Sequence, residues 1–189
     1  YTPQEMAHQY KDSGAKALII LENFASNYQQ IQNDVAIETV IVTRIGDMLG
    51  GIKGGIVNFV VKNIRKMVPD YELPNAIAFK DVLKDGAGKQ PTPVSITHDD
   101  IAFLQYTGGT TGVSKGAILT HGNICGNLSQ IDGWLSGLFE DGNEVVITAL
   151  PLYHIFALTA NCITFFKYGA RNVLITNPRD MKAFIKDLK

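Results

Sequence analysis

The apolar and polar residues of the chain form short apolar runs separated by longer stripes of helical period. Ala17–Leu21 is a continuous apolar run, which predicts a strand covered on both faces. Glu38–Thr43 is rich in β-branched residues and predicts a second strand. A helix from about Phe24 to Gln32 is expected between them. Because a strand, a helix and a strand in that order form a right-handed parallel crossover, the pattern predicts an α/β fold.

Further helices and strands are expected on both sides of this crossover. Before it, Thr2 and Glu5 form a capping box that starts a helix, and Gly14 should end that helix. After residue 100 the predicted elements are a hairpin at about 101–119, a helix capped by Thr120, a strand at 144–150, a helix at 152–168, a strand at 171–176 and a last helix whose apolar stripe is Met181, Phe184, Ile185 and Leu188.

The stretch from about 45 to 93 differs from its surroundings and is interpreted as insertion-like. Residues 56–68 form an apolar stripe beside Lys62, Arg65 and Lys66. Two interpretations stay open. A basic amphipathic helix of this kind can lie on an anionic bilayer, as a peripheral contact. The commoner alternative is a surface helix docked on the core of its own protein.

Composition narrows the class of protein. The 189 residues are enough for one domain, and 46% hydrophobic with 19% charged residues excludes a disordered chain. A net charge of −1 gives no basis for expecting nucleic acid as a partner. The first residue is Tyr1 and the last lies inside a helical pattern, so we expect a piece of a longer protein. Cys125 and Cys162 lie in apolar segments and are predicted to be buried free thiols, which favours a reducing, cytoplasmic location.

The residues suited to chemistry concentrate in Tyr106–Gly116. Its glycines allow tight turns and a close approach of backbone N–H groups to an anion, its threonines add hydroxyl donors, and Lys115 adds a positive charge. The central residues are Thr107, Gly108, Gly109, Thr110, Thr111 and Gly112. These groups are suited to a polyphosphate, although a glycine-rich turn without a ligand would share part of the pattern.

Two better-known phosphate motifs do not fit the chain. A Walker P-loop ends in Gly-Lys-Ser/Thr and leads into a helix, whereas Lys115 is followed here by Gly116 and an apolar run. The G-x-G at Gly86 and Gly88 has Pro91 where a dinucleotide fingerprint needs glycine.

Thr107–Gly116 resembles the phosphate-loop signature of the adenylate-forming enzymes, which include acyl-CoA synthetases, luciferases and the adenylation domains of peptide synthetases. With Leu119-Thr120-His121 following, the form is most similar to that of bacterial long-chain-fatty-acid–CoA ligases. Ser114 departs from the pattern, because most relatives carry proline there. The resemblance implies part of a large N-terminal domain, with a mostly parallel sheet, flanking helices and a phosphate-loop hairpin. The rest of that domain and a C-terminal domain have no counterpart in residues 1–189.

A second stretch, residues 151–158, follows a predicted strand directly and resembles the acyl-side signature of the same family. In open α/β sheets, ligands bind beyond the carboxyl ends of strands. By this resemblance His154 borders the acyl carboxylate, and Phe156 shapes the path of the acyl tail.

The resemblance also implies an activity and its cofactors. A fatty acid carboxylate would attack ATP to form an acyl-adenylate, and coenzyme A would then displace AMP. Tyr106 and Gly116 would complete the nucleotide site, Lys115 would offset charge on the leaving pyrophosphate, and Thr107 would lie near Mg²⁺. Thr107, Lys115 and His154 are therefore the expected catalytic residues of the parent enzyme, which is placed in the cytoplasm or peripherally at the inner membrane. Residues 1–189 alone are expected to be inactive. The alternatives are another adenylate-forming enzyme or a non-catalytic nucleotide-binding module.

Overall fold

The computed structural model of the chain describes residues 1–107 and 113–188. The chain divides into two units, each described by itself. The first comprises residues 1–94 with the described parts of 106–116, and the second comprises residues 95–105 with 117–188. Strands β4 (Ile101–Thr107) and β5 (Lys115–Thr120) pair with each other, and each contributes residues to both units.

The first unit is built on a small parallel sheet with helices. Its strands are β1 (Ala17–Leu21), β2 (Thr39–Thr43) and β3 (Ile77–Ala78), and its helices are α1 (Pro3–Ser13), a 3₁₀ turn (Glu22–Phe24), α2 (Ala25–Gln29), α3 (Gly51–Phe59), a π-helical segment (Val60–Ile64) and α4 (Phe79–Gly86). β1 pairs in parallel with β2, and β2 in parallel with β3. This confirms the parallel crossover predicted from the two apolar runs. The two-residue strand β3 lies within the 45–93 stretch, where no strand was expected.

The core of the first unit lies between α1, β1 and α2. Met6, Ile20, Tyr28 and Ile31 are buried together. The predicted capping box starts α1: the Glu5 N–H donates to Thr2 Oγ1 at 3.3 Å, and the Thr2 N–H donates to Glu5 Oε2 at 2.7 Å. The expectation that β1 is covered on both faces is wrong for the described chain, because side chains alternate across a strand and those of one face remain outside the core.

Ile19 shows this alternation most clearly. It is 61% exposed, whereas the next residue, Ile20, is buried. The helix expected from Phe24 to Gln32 is also shorter than predicted, since regular α-helix is confined to Ala25–Gln29 and is preceded by the 3₁₀ turn.

The glycine-rich start of α3 makes a close backbone contact. A Cβ atom added at Gly46 would overlap the carbonyl oxygen of Gly54, and a Cβ at Gly54 would overlap that of Gly46. The Gly46 N–H also donates to Asn58 Oδ1 at 2.7 Å. The glycines therefore fix α3 against the turn that follows β2.

The second unit continues the alternation of helices and strands. Beyond β5 its elements are α5 (His121–Leu135), β6 (Val145–Thr148), a π-helical segment (Ala157–Ile163), α6 (Thr164–Lys167), β7 (Arg171–Leu174) and α7 (Met181–Asp187). β6 and β7 pair in parallel, in the register Val145↔Arg171 to Thr148↔Leu174. Thr120 caps α5 as predicted, its Oγ1 accepting a hydrogen bond from the Asn123 N–H at 3.2 Å.

Two expectations for the second unit need correction. The helix predicted at 152–168 begins only at residue 155, after a turn at 152–154, and it is a wide π-helix from Ala157 to Ile163. The wide turn brings the Thr164 hydroxyl to the Thr159 carbonyl, to which it donates at 2.7 Å. The thiols are free, but Cys125 is exposed and Cys162 is only partly buried, because Cys125 lies off the apolar stripe of α5. Among the helices that the structure describes, none has the length and apolarity to cross a bilayer.

Candidate functional site

The predicted phosphate motif lies between the end of β4 and the start of β5. Tyr106 and Thr107 are the last residues of β4, and Lys115 and Gly116 are the first of β5. The five residues between Thr107 and Val113 lie outside the described residues, so the expectations for Gly108, Gly109, Thr110, Thr111 and Gly112 stay predictions.

The two described ends of the motif are joined directly. The Ser114 hydroxyl donates a hydrogen bond to the carbonyl oxygen of Thr107 at 3.0 Å. Thr107 and Lys115 are both exposed. The side chains predicted to act on phosphate are thus carried on adjoining strand ends and are accessible in this chain.

Gly116 is constrained by the ring of Tyr106. A Cβ atom built at Gly116 would lie 2.9 Å from Cζ of Tyr106 and 3.0 Å from its Cε2. These distances are well inside the ~3.5–4.0 Å separation that carbon atoms prefer. Glycine is therefore required at this position for the ring to lie across β5.

Helix α1 contacts both ends of the motif. The Tyr106 hydroxyl donates to Asp12 Oδ2 at 2.5 Å, and burial together with this hydrogen bond raises the pKa of Tyr106 to about 12. His8 Nε2 lies 2.8 Å from the Ser114 carbonyl oxygen. Since a carbonyl only accepts, Nε2 must carry the hydrogen and donate. No sequence pattern predicts these contacts: His8 was interpreted as a structural histidine, and Asp12 and Tyr106 are separated by 94 residues.

His154 and Phe156, the residues predicted to meet the acyl group, lie in the second unit. His154 occupies the turn after Pro151, where its N–H donates to the Pro151 carbonyl at 2.9 Å. Its Nδ1 accepts from the Phe156 N–H at 3.3 Å, so the imidazole is oriented by its own turn. His154 is exposed, and Phe156 is 59% exposed. An exposed apolar ring beside an accessible imidazole is compatible with an apolar ligand that carries a polar end.

A separate cavity of about 620 Å³ lies in the first unit, beyond the carboxyl ends of β1 and β2. Four of its charged side chains form two ion pairs: Glu22 Oε2 lies 3.4 Å from Arg44 Nε, and Asp47 Oδ1 lies 3.8 Å from Lys80 Nζ. None of the residues predicted to bind ligand lines this cavity. No motif in the sequence marks this position, although strand carboxyl ends commonly hold ligands.

Comparison with known proteins shows the family that the chain matches. A family model described as AMP-binding enzyme matches residues 1–189. The chain is 51% identical over 188 residues to the long-chain-fatty-acid–CoA ligase of Escherichia coli O6:H1, and 48% identical over 192 residues to that of Haemophilus influenzae. Both alignments cover 100% of this chain and 34% of the relative. The chain therefore spans about one third of the length of these curated relatives.

The fold is also found in solved structures. A crystal structure of a long-chain-fatty-acid-CoA ligase from Archaeoglobus fulgidus matches with a TM-score of 0.66 at 19% identity. The match covers 100% of this chain and 31% of that one. At this identity the likeness concerns the fold alone, and it confirms the predicted α/β class.

Proposed function

The chain belongs to the AMP-binding enzyme family, and we propose that the complete protein activates long-chain fatty acids for transfer to coenzyme A. In the first step the carboxylate attacks the α-phosphorus of ATP and expels pyrophosphate, which gives an acyl-adenylate. In the second step the thiol of coenzyme A attacks the acyl carbon and AMP leaves. The 51% identity to a long-chain-fatty-acid–CoA ligase along the whole chain supports this substrate class.

The observation that carries the proposal is the hydrogen bond that joins the two strand ends of the motif. Because Ser114 Oγ holds the Thr107 carbonyl at 3.0 Å, the side chains of Thr107 and Lys115 leave adjoining strand ends. A hydroxyl and an ammonium in that arrangement can bind the phosphates of one nucleotide and stabilise charge on the departing pyrophosphate.

Mg²⁺ belongs to the proposal as a partner of the nucleotide. Among the described residues no group of three His, Cys, Asp or Glu side chains converges on one point. The donor set of the motif suits a cation that keeps its waters and takes phosphate oxygens, with the exposed Thr107 hydroxyl as one protein ligand. Bound there, Mg²⁺ would offset phosphate charge.

The roles proposed for the second unit follow from the turn at 151–156. The Phe156 N–H orients His154 through Nδ1, and His154 would contact the acyl carboxylate through its other ring nitrogen, Nε2. Phe156 would flank the first part of the acyl tail with its exposed face. These assignments apply to the complete protein, and we expect residues 1–189 alone to form no acyl-CoA.

Membrane contact is a second candidate property, favoured by the surface of α3 and its π-helical extension. Ile56, Phe59 and Ile64 are exposed there, and Lys62 and Arg65 are exposed beside them. Apolar side chains flanked by cations suit the interface of an anionic bilayer. The proposed location is then the cytoplasm, with peripheral binding at the inner membrane.

Flotation of the complete protein with anionic liposomes tests this second property. The variant Lys62→Glu/Arg65→Glu/Lys66→Glu should lose most of its binding, because each reversal replaces an attraction with a repulsion. The control variant changes three other exposed lysines to glutamate and so has the same net charge. These lysines are Lys11, Lys84 and Lys182. Equal binding of the two variants would remove the membrane proposal.

Fatty-acid-dependent exchange of pyrophosphate into ATP tests the main function, since only a protein that forms an acyl-adenylate catalyses it. Lys115→Ala should lower the rate by about 10²–10³, the loss typical of removing one charge-stabilising donor. Lys84→Ala removes an exposed lysine of α4 and should leave the rate unchanged. Exchange supported by amino acids or luciferins instead of fatty acids would favour another adenylate-forming enzyme. ATP binding without exchange would favour a nucleotide-binding module.

A further inference from the structure

We propose that His8 and Asp12 on α1 are positioning residues, which hold the two strand ends of the phosphate motif in register for nucleotide binding. Asp12 holds the β4 end through the hydroxyl of Tyr106, and His8 holds the β5 end through the carbonyl of Ser114. This inference rests on the proposed function, because the motif is taken to bind ATP.

Helix α1 is suited to this role because it is anchored at several points. Its start is fixed by the Thr2–Glu5 capping box, and Gly14 ends it in a left-handed conformation at φ 62°. Met6 is buried in the core of the first unit. The ring of Tyr10 packs against that of Tyr28, with the ring centroids 6.4 Å apart. A helix fixed in this way gives the motif a rigid reference.

His8 and Asp12 are four residues apart and therefore lie on the same side of α1. The two contacts reach different strands, so together they limit both sliding and separation of the strand ends. Within the motif, Ser114 Oγ bonds to the Thr107 carbonyl and closes the arrangement. α1 thus contacts Tyr106 and Ser114, which directly neighbour Thr107 and Lys115, without contributing a group to the phosphate itself.

The two contacts differ in strength and in what each controls. The bond from Tyr106 to Asp12 joins a hydroxyl to a carboxylate and is short, at 2.5 Å, as expected for a charge-assisted hydrogen bond. It also fixes the ring that lies over Gly116. The His8 contact ends on a main-chain carbonyl, so it sets the backbone position of Ser114 regardless of the side chain there.

Steady-state kinetics of the complete protein test the inference. Asp12→Ala should raise KM for ATP about fivefold to tenfold, the factor expected for the loss of one hydrogen bond, with KM for the fatty acid unchanged. Asp12→Asn keeps an acceptor oxygen and should restore most of the affinity. Asp34→Ala removes the same charge from an exposed site of the first unit and should change neither constant.

A double-mutant cycle tests whether Asp12 acts through Tyr106. Tyr106→Phe keeps the ring but removes the donor, so the double variant with Asp12→Ala should be no weaker in ATP binding than either single variant. Fully additive losses would overturn the assigned contact. His8→Ala should also raise KM for ATP, and its effect should add to that of Asp12→Ala, because it acts on the other strand.

Hydrogen exchange separates failure of this inference from failure of the proposed function. Asp12→Ala should speed amide exchange in 101–107 and 113–120 whatever the motif binds, whereas Asp34→Ala should not. Unchanged exchange and unchanged KM for ATP, with activity lost in Lys115→Ala, would overturn the positioning role and leave the proposed function standing. Faster exchange in a protein that shows no adenylate formation would overturn both the proposed function and the role in ATP binding.

Discussion

Replacement of Gly116 by alanine is the most direct perturbation of the strand pair. The new methyl carbon would lie 2.9 Å from Cζ of Tyr106, about 0.6 Å closer than carbon atoms tolerate comfortably. The ring cannot move aside freely, because its hydroxyl is bonded to Asp12. Overpacking of this kind costs about 1–3 kcal/mol, and alanine recovers about 0.5–1 kcal/mol of the backbone entropy that glycine loses. With the middle of each range, a cost of about 2 and a gain of about 0.75 kcal/mol, the expected net loss of local stability lies at about 1–2 kcal/mol.

Amide hydrogen exchange measures this loss where it occurs. A change of about 1–2 kcal/mol corresponds to a roughly 5- to 30-fold fall in the protection of β5 amides. Gly126→Ala is the matched control: Gly126 lies inside α5, where an added Cβ meets no atom within 4 Å. That substitution should slow exchange in α5, because alanine stabilises a helix interior relative to glycine.

Removal of the Tyr106 ring tests whether its collision with the new methyl group causes the loss of stability. Gly116→Ala combined with Tyr106→Ala should cost clearly less than the sum of the two single changes, because no ring is left to collide with the methyl group. Protection of β5 that is unchanged or increased in Gly116→Ala would refute the reasoning. Strict additivity in the double variant would show that the collision is not the source of the loss.

The remaining predictions concern the capping of α1 and an ion pair of the second unit. Thr2→Ala should destabilise α1 by about 1 kcal/mol, measured as faster exchange of its first amides, because the capping oxygen for the Glu5 N–H is lost. The pKa of Asp132 is lowered, first by Lys167 at 2.6 Å and then by the Tyr168 hydroxyl. A lowered folded pKa gives stability that is present above the usual aspartate range and is lost as the pH falls through the folded pKa. The unfolding midpoint of Asp132→Asn should therefore depend less on pH in that acidic window, and an unaltered pH dependence would contradict the assignment.

The parts of the fold that sequence reasoning recovered are those determined locally. The parallel pairing of β1 with β2 followed from two apolar runs and the segment between them. The caps at Thr2 and Thr120 followed from a residue and its partner three positions later. Such signals need no knowledge of the rest of the chain, because the interacting groups are neighbours along it.

The parts that sequence reasoning missed depend on distant contacts or on very short elements. The two-residue strand β3 carries no periodicity, so only its pairing with β2 reveals it. The bond between Asp12 and Tyr106 spans 94 residues and involves two common residue types. For the candidate site, the motif predicted Thr107 and Lys115 as functional residues but not the helix that contacts their neighbours. The exposure of Cys125 was mispredicted because the prediction rested on its apolar surroundings in the sequence, whereas Cys125 lies off the apolar stripe of α5.

The difference between the two thiols has a practical use in spectroscopy. Cys125 faces solvent on α5, whereas Cys162 is partly covered in the π-helical segment, so a bulky maleimide dye should react with the former first. A fluorophore attached to Cys125 would therefore label α5, in the second unit, selectively.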